Sequence, residues 1–223
     1  MSFNIAIDGP AGAGKSTAAK TAARQLGFIY VDTGAMYRTI ALYLIRNNIR
    51  IEDEDALQKA LDSIDAGISY QDGMQHMLLN GEDVTGLIRT PEVSDMASRS
   101  SAIPAVRRKL LALQRDLAAR EDVLMDGRDI GTAILPDADL KIFLTASVQE
   151  RAKRRYLEMT EKGESCCLEE IQKEIEERDS RDMNRETSPL KQADDAILLD
   201  SSGMSLEEVA DRIVFLAKER MKA

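Results

Sequence analysis

Gly9-Pro-Ala-Gly-Ala-Gly14-Lys15-Ser16 is the stretch that decides the fold, because it fits the pattern G-x-x-x-x-G-K-[ST] at every fixed position. An apolar segment precedes it (residues 3–7) and is predicted to be a buried strand. An Ala-rich segment follows it (residues 15–26) and is predicted to be a helix that Gly27 terminates. The glycines let backbone N–H groups surround an anion, and the helix start adds further free N–H groups. The stretch therefore predicts a site for the phosphates of a nucleoside triphosphate.

Within this loop, Lys15 is expected to reach the β- and γ-phosphates, and the Ser16 hydroxyl to ligate a nucleotide-bound Mg²⁺. The alternative is a Gly-rich turn between strand and helix without a ligand, which the complete match and its context disfavour. The predicted ATP-binding residues are Gly9, Pro10, Ala11, Gly12, Ala13, Gly14, Lys15, Ser16 and Thr17.

Outward from the loop, strand-like and helical segments alternate, which is typical of a parallel α/β sheet. Core strands are predicted over residues 3–7, 28–31, 123–125, 140–144 and 196–199. Helices are predicted over residues 15–26, 35–46, 52–64, 91–101, 105–120, 148–161, 168–185 and 205–221. The predicted fold is an α/β domain with a five-stranded parallel sheet flanked by helices.

Two segments differ from this alternation. Residues 68–84 contain short strand-like pieces split by Asp72-Gly73 and Asn80-Gly81, which are strong hairpin signals and predict a small antiparallel insert. The predicted helices at 148–161 and 168–185 are highly charged and are separated by Lys162-Gly163-Glu164.

Composition excludes several classes of protein. The 223-residue chain has a formal charge of −9 and a sequence pI of about 4.8, so non-specific binding to nucleic acid or to an anionic membrane is not expected. Cys166 and Cys167 are adjacent and His76 is the only histidine, so neither a disulfide framework nor a zinc site is expected. We find neither a signal-peptide pattern nor an apolar run of spanning length, and we expect a cytoplasmic protein.

The guanine-reading Asn-Lys-x-Asp segment of signalling GTPases is absent, and Val123-Leu-Met-Asp126 leads directly into Gly127-Arg128-Asp129. At this point the chain resembles the bacterial cytidylate kinase family of P-loop nucleoside monophosphate kinases. The matching segments run in the family's order over nearly the whole chain: Ile7-Asp-Gly-Pro-Ala-Gly-Ala-Gly-Lys, Asp32-Thr-Gly-Ala-Met-Tyr-Arg38, Gly81-Glu-Asp-Val-Thr-Gly, Ile88-Arg-Thr-Pro-Glu-Val, Asp126-Gly-Arg-Asp-Ile-Gly-Thr, Lys141-Ile-Phe-Leu and Glu177-Arg-Asp-Ser-Arg-Asp-Met-Asn-Arg185.

The resemblance implies an ATP-dependent kinase that phosphorylates CMP or dCMP in pyrimidine nucleotide metabolism. It implies a single nucleotide kinase domain with a core (1–62, 103–150 and 186–223), an insert that binds the monophosphate (63–102) and a lid (151–185). Thr33 stands where many relatives have Ser, and Ser16 where some have Gly. The implied CMP-binding residues are Thr33, Tyr37, Arg38, Ser98, Arg107, Arg128, Asp129, Arg178, Asp182 and Arg185.

These implied roles suit the chemistry of cytosine, whose N4 amino group donates while N3 and O2 accept. By resemblance, Asp129 would accept from N4, and Ser98 and Arg107 would donate to N3 and O2. Asp129 also follows a buried strand, at the sheet edge where α/β proteins bind ligands. Uracil presents an acceptor, O4, in place of N4, so UMP is expected to be a poor acceptor substrate.

Arg38 and Arg128 would hold the α-phosphate of CMP, whereas Arg178 and Asp182 would contact its ribose end, again by resemblance. The lid contains six arginines, Arg151, Arg154, Arg155, Arg178, Arg181 and Arg185. The last three are spaced i, i+3 and i+7, so they are predicted to share one helix face and, with Lys15, to be catalytic through charge stabilisation. The alternative is a salt-bridged surface helix, because Glu174, Arg178 and Asp182 fit i, i+4 pairing.

Other readings stay open from the sequence. A kinase for shikimate, dephospho-coenzyme A or adenylate is a close rival, and a non-catalytic nucleotide-dependent switch is a rival from another class. Asp126 is either a carboxylate on the metal side or a structural cap. A monomer is expected, and the preference between CMP and dCMP is not determined.

Overall fold

The structure is a computed structural model that describes residues 2–71, 73–161, 163 and 165–222. Its strands are β1 Asn4–Asp8, β2 Ile29–Asp32, β3 Ala66–Gln71, β4 Met74–Leu79, β5 Glu82–Asp83, β6 Val123–Gly127, β7 Leu140–Thr145 and β8 Ile197–Asp200. Its α-helices are α1 Lys15–Leu26, α2 Thr33–Arg46, α3 Glu54–Ser63, α4 Pro91–Ser100, α5 Pro104–Arg120, α6 Val148–Glu161, α7 Leu168–Asn184 and α8 Leu206–Lys222.

The predicted five-stranded parallel sheet is confirmed, with the strand order β2-β6-β1-β7-β8. Central β1 has apolar side chains on both faces. Ile5 and Ile7 pack with α1 and α8, whereas Ala6 packs on the opposite face with α2 and α5. Two-sided burial of this kind explains why the strand reads as a continuous apolar run. Because β1, β2 and β6 run parallel, their carboxyl ends lie at one edge of the sheet, where the phosphate loop begins.

The predicted antiparallel insert is confirmed as a three-stranded sheet in the order β3-β4-β5. Asn80 and Gly81 both have positive φ, at 50° and 83°, as a tight hairpin turn between β4 and β5 requires. Asp72, half of the other hairpin signal, lies outside the described residues. Gln75 on β4 attaches the insert to the core, because its Oε1 accepts a hydrogen bond from the Asp32 backbone N–H at 2.7 Å.

The two charged helices pack on each other through a small apolar cluster that includes Ala152, Ile171 and Ile175. Within the predicted separator of these helices, Lys162 and Glu164 lie outside the described residues. Helix α7 ends at Asn184 rather than at Arg185, which has extended backbone (φ −66°, ψ 141°). Among the described residues, no helix combines the length and apolarity needed to cross a bilayer.

At α2 and α3 the helix start differs from the prediction because an aspartate side chain caps the helix. Helix α2 begins at Thr33, two residues before the prediction, because the Asp32 carboxylate accepts from the Ala35 N–H at 2.7 Å. A π-helical turn at Ile130–Ile134 was not predicted, and it directly follows Asp129.

Candidate active site

The phosphate loop connects β1 to α1 in a conformation that only glycine tolerates at its key positions. Gly12 and Gly14 have φ angles of 75° and 83°. A Cβ atom on Gly9 would lie 1.9 Å from the Leu144 carbonyl oxygen. Helix α1 starts without a side-chain cap, so its first N–H groups face the loop unoccupied by a side-chain acceptor. Ser16 and Thr17 lie exposed in that first turn. The loop therefore has the backbone conformation and the uncapped helix start that a phosphate site requires, and its contacts to ATP stay a prediction.

Lys15 is the buried cation of this loop. Its side chain is 5% exposed, and its Nζ donates to the Pro10 carbonyl at 2.7 Å. Burial lowers the pKa of Lys15 well below its usual value, and the positive charge of Arg128 lowers it further, against the opposing effect of Asp126 and Asp8. An anion that binds beside Lys15 would stabilise the charged form of this buried lysine.

Asp126 at the end of β6 faces the phosphate loop. Its Oδ2 accepts from the Ser16 hydroxyl at 2.9 Å, and its Oδ1 accepts from the Tyr30 hydroxyl at 2.8 Å. Burial, followed by the nearby charge of Asp32, raises the pKa of Asp126 to about 6. The carboxylate is thus paired with two hydroxyls beside the loop. The residues before the two adjoining helical segments are Asp32, which caps α2 with its side chain, and Asp129, whose side chain makes no cap.

Asp129 lies at the carboxyl end of β6, as predicted, and is 3% exposed. It accepts hydrogen bonds from Arg107 Nη2 and, at 3.3 Å, from Arg185 Nη2. Burial raises the pKa of Asp129, although the two arginines act in the opposite direction. The guanidinium of Arg107 also lies 5.8 Å from the ring centroid of Tyr37, whose hydroxyl pKa burial raises to about 12. Four predicted residues from separate segments thus meet at one place.

Three more predicted residues, Arg38, Arg128 and Thr33, are held by two aspartates and by β6. Arg38 donates to Asp32 at 3.1 Å, and Arg128 donates through Nε to Asp182 at 3.0 Å. The Thr33 hydroxyl donates to the Asp126 carbonyl at 2.8 Å and is therefore fixed against β6.

Arg178 has a buried Nε atom without a hydrogen-bond partner in the described part of the chain. Burial lowers the pKa of Arg178 to about 10, and the neighbouring charges of Arg128, Arg38 and Arg155 lower it further, whereas Asp182 raises it. The i, i+4 pairing that the sequence allowed is replaced, since Glu174 pairs with Arg155 at 3.2 Å and Asp182 pairs with Arg128. Arg38, Arg128, Arg178 and Lys15 therefore form a cluster of positive charge.

The prediction that Arg178, Arg181 and Arg185 share one helix face is wrong. Because α7 ends at Asn184, the extended backbone at Arg185 directs this side chain to Asp129. Arg181 is 49% exposed and pairs with Asp95 on α4 at 3.0 Å. Of the three, only Arg178 lies in the cluster of positive charge.

Ser98 lies on α4 at the wall of a cleft of about 410 Å³ between α4 and α7. Asp182 and Arg185 line the same cleft from the opposite side. Arg185 therefore contributes both to the lining of this cleft and to the Asp129 group.

Sequence reasoning missed several charged residues that hold the site together. Arg151 is 3% exposed and donates to the Ala11 carbonyl of the phosphate loop at 2.9 Å and to Asp179 on α7 at 2.6 Å. Arg89 shares Asp32 with Arg38, at 3.2 Å. Asp8 is buried at the end of β1, and the one available signal was a charged residue that closes an apolar strand.

Comparisons with known proteins agree with this geometry. The family model described as cytidylate kinase matches residues 5–219. A cytidylate kinase of Caldicellulosiruptor saccharolyticus is 52% identical over 214 residues, which cover 96% of this chain and 95% of that protein. A cytidylate kinase of Lactobacillus johnsonii is 49% identical over 220 residues, which cover 99% of this chain and 96% of that protein.

Solved structures support the fold alone, because their sequences are distant. An uncharacterised protein of Eubacterium ventriosum has a TM-score of 0.54 at 15% identity, over 98% of this chain and 99% of that one. A gluconokinase of Sinorhizobium meliloti has a TM-score of 0.50 at 14% identity, over 97% of this chain and 92% of that one.

Proposed function

The chain belongs to the cytidylate kinase family, and from this membership we propose how its residues divide the work of phosphorylating CMP or dCMP with ATP. The phosphate loop holds ATP, the Asp129 group reads the base of the acceptor, and the cluster of positive charge lies between them. The observation that carries this division is the group of cations Lys15, Arg38, Arg128 and Arg178, in which the charge of Arg128 lowers the pKa of both Lys15 and Arg178. Such a group is stabilised by phosphates.

In this arrangement, Lys15 and the loop N–H groups bind the β- and γ-phosphates of ATP, and Arg38 and Arg128 bind the α-phosphate of the acceptor. An oxygen of that phosphate attacks the γ-phosphorus, a P–O bond forms, and the bond to the ADP oxygen breaks. Arg178, Arg185 and Arg181 offset the charge that spreads over the transferring group. The acceptor phosphate is already ionised near neutral pH, so the step needs no general base.

Asp129 selects cytosine by accepting a hydrogen bond from N4, and Ser98 and Arg107 donate to N3 and O2. Arg107 and Arg185 both donate hydrogen bonds to the Asp129 carboxylate. An incoming base must therefore share this carboxylate with the two arginines or displace one of them. For uracil that exchange is unfavourable, because O4 brings a second acceptor against a buried carboxylate. Tyr37 and Thr33 support this side of the site through Arg107 and β6.

A Mg²⁺ ion fits the chemistry beside Ser16. The Ser16 hydroxyl and Asp126 carboxylate are hard oxygen donors 2.9 Å apart, and a cation would offset the burial that raises the Asp126 pKa. The described residues contain no cluster of three or more acidic, His or Cys ligands, which suits an ion held mainly by nucleotide phosphates. Ser16 would ligate the ion, and the Asp126 carboxylate, which lies beside that hydroxyl, would help to hold it. When bound, Mg²⁺ neutralises phosphate charge.

We further propose that the insert (63–102) and the lid (151–185) close over the core (1–62, 103–150 and 186–223) when both substrates bind. The Arg181–Asp95 pair already connects the lid to the insert. Closure excludes water, which would otherwise compete as an acceptor and consume ATP. A monomer suffices for this scheme, because one chain supplies every residue in it.

The test is ADP release from ATP and Mg²⁺ with CMP, dCMP, UMP, AMP, GMP, shikimate and dephospho-coenzyme A. Turnover with CMP and dCMP and little with the others is the expected result. Turnover with a different acceptor would keep the kinase and refute the base contacts of Asp129, Ser98 and Arg107. ATP binding without acceptor-dependent ADP release would favour a nucleotide-dependent switch instead.

A further inference from the structure

Asp8 is a buried carboxylate to which the proposed chemistry assigns no task. It ends β1, directly before Gly9, and is 5% exposed. Its Oδ1 accepts from the Ile130 N–H at 2.7 Å and its Oδ2 accepts from the Gly131 N–H at 2.8 Å. These two N–H groups are the first of the π-helical turn that follows Asp129.

In a helical turn, an Asp at the position before the first residue ordinarily turns its own carboxylate back onto the N–H group of the second or third residue, here Gly131 or Thr132. Asp129 occupies this position, yet it makes no such cap. Its carboxylate faces Arg107 and Arg185 instead. Asp8, which is more than a hundred residues away along the chain, accepts from the Gly131 N–H that Asp129 would otherwise use, and from the Ile130 N–H as well.

We infer that Asp8 is a positioning residue for base selection, because by capping Ile130 and Gly131 it keeps the Asp129 carboxylate in the base site. This inference rests on the proposed reading of cytosine by Asp129. It also connects the two proposed substrate sites, since the residue directly before the phosphate loop also caps the turn that follows Asp129. Burial raises the pKa of Asp8 to about 6, against the effect of the Gly131 and Ile130 N–H groups, so the cap holds its full charge only above that pH.

The test is the ratio of kcat/KM for CMP to kcat/KM for UMP in Asp8→Asn, at saturating ATP. Asparagine keeps one acceptor oxygen, but its NH₂ group faces the other of the two N–H groups, which then lacks an acceptor. We expect the Asp129 carboxylate to turn toward the start of the helical turn and accept from that N–H. We expect the ratio to fall about tenfold, as displaced contact groups commonly cause. A merely structural role, or damage to the phosphate loop, lowers both values alike, so an unchanged ratio overturns the inference.

Arg115→Gln is the matched control, because Arg115 holds the other end of the same turn. Its Nε and Nη2 donate to the carbonyls of Ile134 and Ala133 at 3.0 and 3.1 Å. We expect this variant to keep the CMP-to-UMP ratio of the parent. If it lowers the ratio as much as Asp8→Asn does, general loosening of the turn is the cause and the inference about Asp8 fails.

Asp129→Asn separates this inference from the proposed function. If that variant keeps the ratio, the reading of cytosine by Asp129 is refuted. If it lowers the ratio while Asp8→Asn does not, only the positioning role of Asp8 is refuted. Should Asp8→Asn not fold, amide hydrogen exchange in the parent still decides. Ile130 and Gly131 are expected to exchange slowly without substrate, and exchange at unprotected rates would overturn the cap.

Discussion

The ATP side and the acceptor side of the site are built in different ways. In the proposed scheme the ATP side is one continuous stretch, residues 9–17, which would bind phosphate through backbone N–H groups, and Gly9, Gly12 and Gly14 in this stretch have positive φ angles. The acceptor side brings together Asp129 after β6, Arg107 on α5, Arg185 after α7 and Ser98 on α4. Ion pairs join three of these residues, because Arg107 and Arg185 both pair with Asp129.

This difference has a consequence for binding. A backbone cradle is complete before ATP arrives and needs little rearrangement. On the acceptor side, Asp129 is already paired with Arg107 and Arg185. CMP must therefore replace existing ion pairs with its own contacts when it binds. Changes on the ATP side should therefore act on the rate of transfer itself, whereas changes on the acceptor side should act on the choice and concentration of acceptor.

Lys15→Ala should have the largest effect and tests the ATP side. Loss of the buried cation should lower kcat by roughly a thousandfold or more, since phosphoryl transfer depends on charge stabilisation. Steady-state ADP release with CMP measures it. Lys20→Ala, an exposed position on the same helix, should match the parent. A Lys15→Ala enzyme within about tenfold of the parent would contradict the assigned role.

Asp126→Asn sharpens the comparison through pH. The pKa of Asp126 in the folded protein, about 6, lies above its ordinary value of 3.8. The free energy of unfolding of the parent protein therefore falls as the pH rises from about 4 to about 6, and it stays at the lower value above pH 6. Asp126→Asn has no charge to bury, so its free energy of unfolding does not fall in this way. The difference in unfolding free energy between variant and parent should therefore shift in favour of the variant by at most about 3 kcal/mol from pH 4 to pH 8. Urea unfolding without nucleotide at pH 4 and pH 8 measures it, and a constant difference would refute the raised pKa.

The same division explains which features could be predicted from the sequence. The phosphate loop, the sheet and the Asn80-Gly81 hairpin follow from local rules, because a few neighbouring residues determine each of them. The acceptor side could not be derived locally, since Ser98 and Arg107 carry no local signal and were named only by family resemblance. Arg185 was misplaced because a one-residue change in a helix end redirects a side chain. The π-helical turn was missed because its cap, Asp8, is distant in sequence.

Asp129→Ala tests the acceptor side. It should lower kcat/KM for CMP about a hundredfold, mainly through KM, because the base loses its acceptor and two buried arginines lose their partner. The KM for ATP should stay within about twofold, since the phosphate loop is untouched. Asp200→Ala is the control, because Asp200 also ends a parallel strand but is exposed. Kinetics equal to those of the parent, or an effect on ATP alone, would refute the assignment.

Arg181→Ala should have the smallest effect on kcat. This variant tests whether Arg181 contributes to phosphoryl transfer between the ATP side and the acceptor side. Arg181 is half exposed and must leave Asp95 to reach the phosphates, so its gain is reduced by solvent and by the lost pair. We expect kcat to fall by about tenfold or less, against about a hundredfold for Arg178→Ala, whose guanidinium is buried among cations. Asp95→Ala should leave kcat within about twofold. If Arg181→Ala costs as much as Arg178→Ala, the exposed arginine moves fully into the transfer site on closure. The lid would then supply a second arginine, besides Arg178, that stabilises the transferring phosphoryl group.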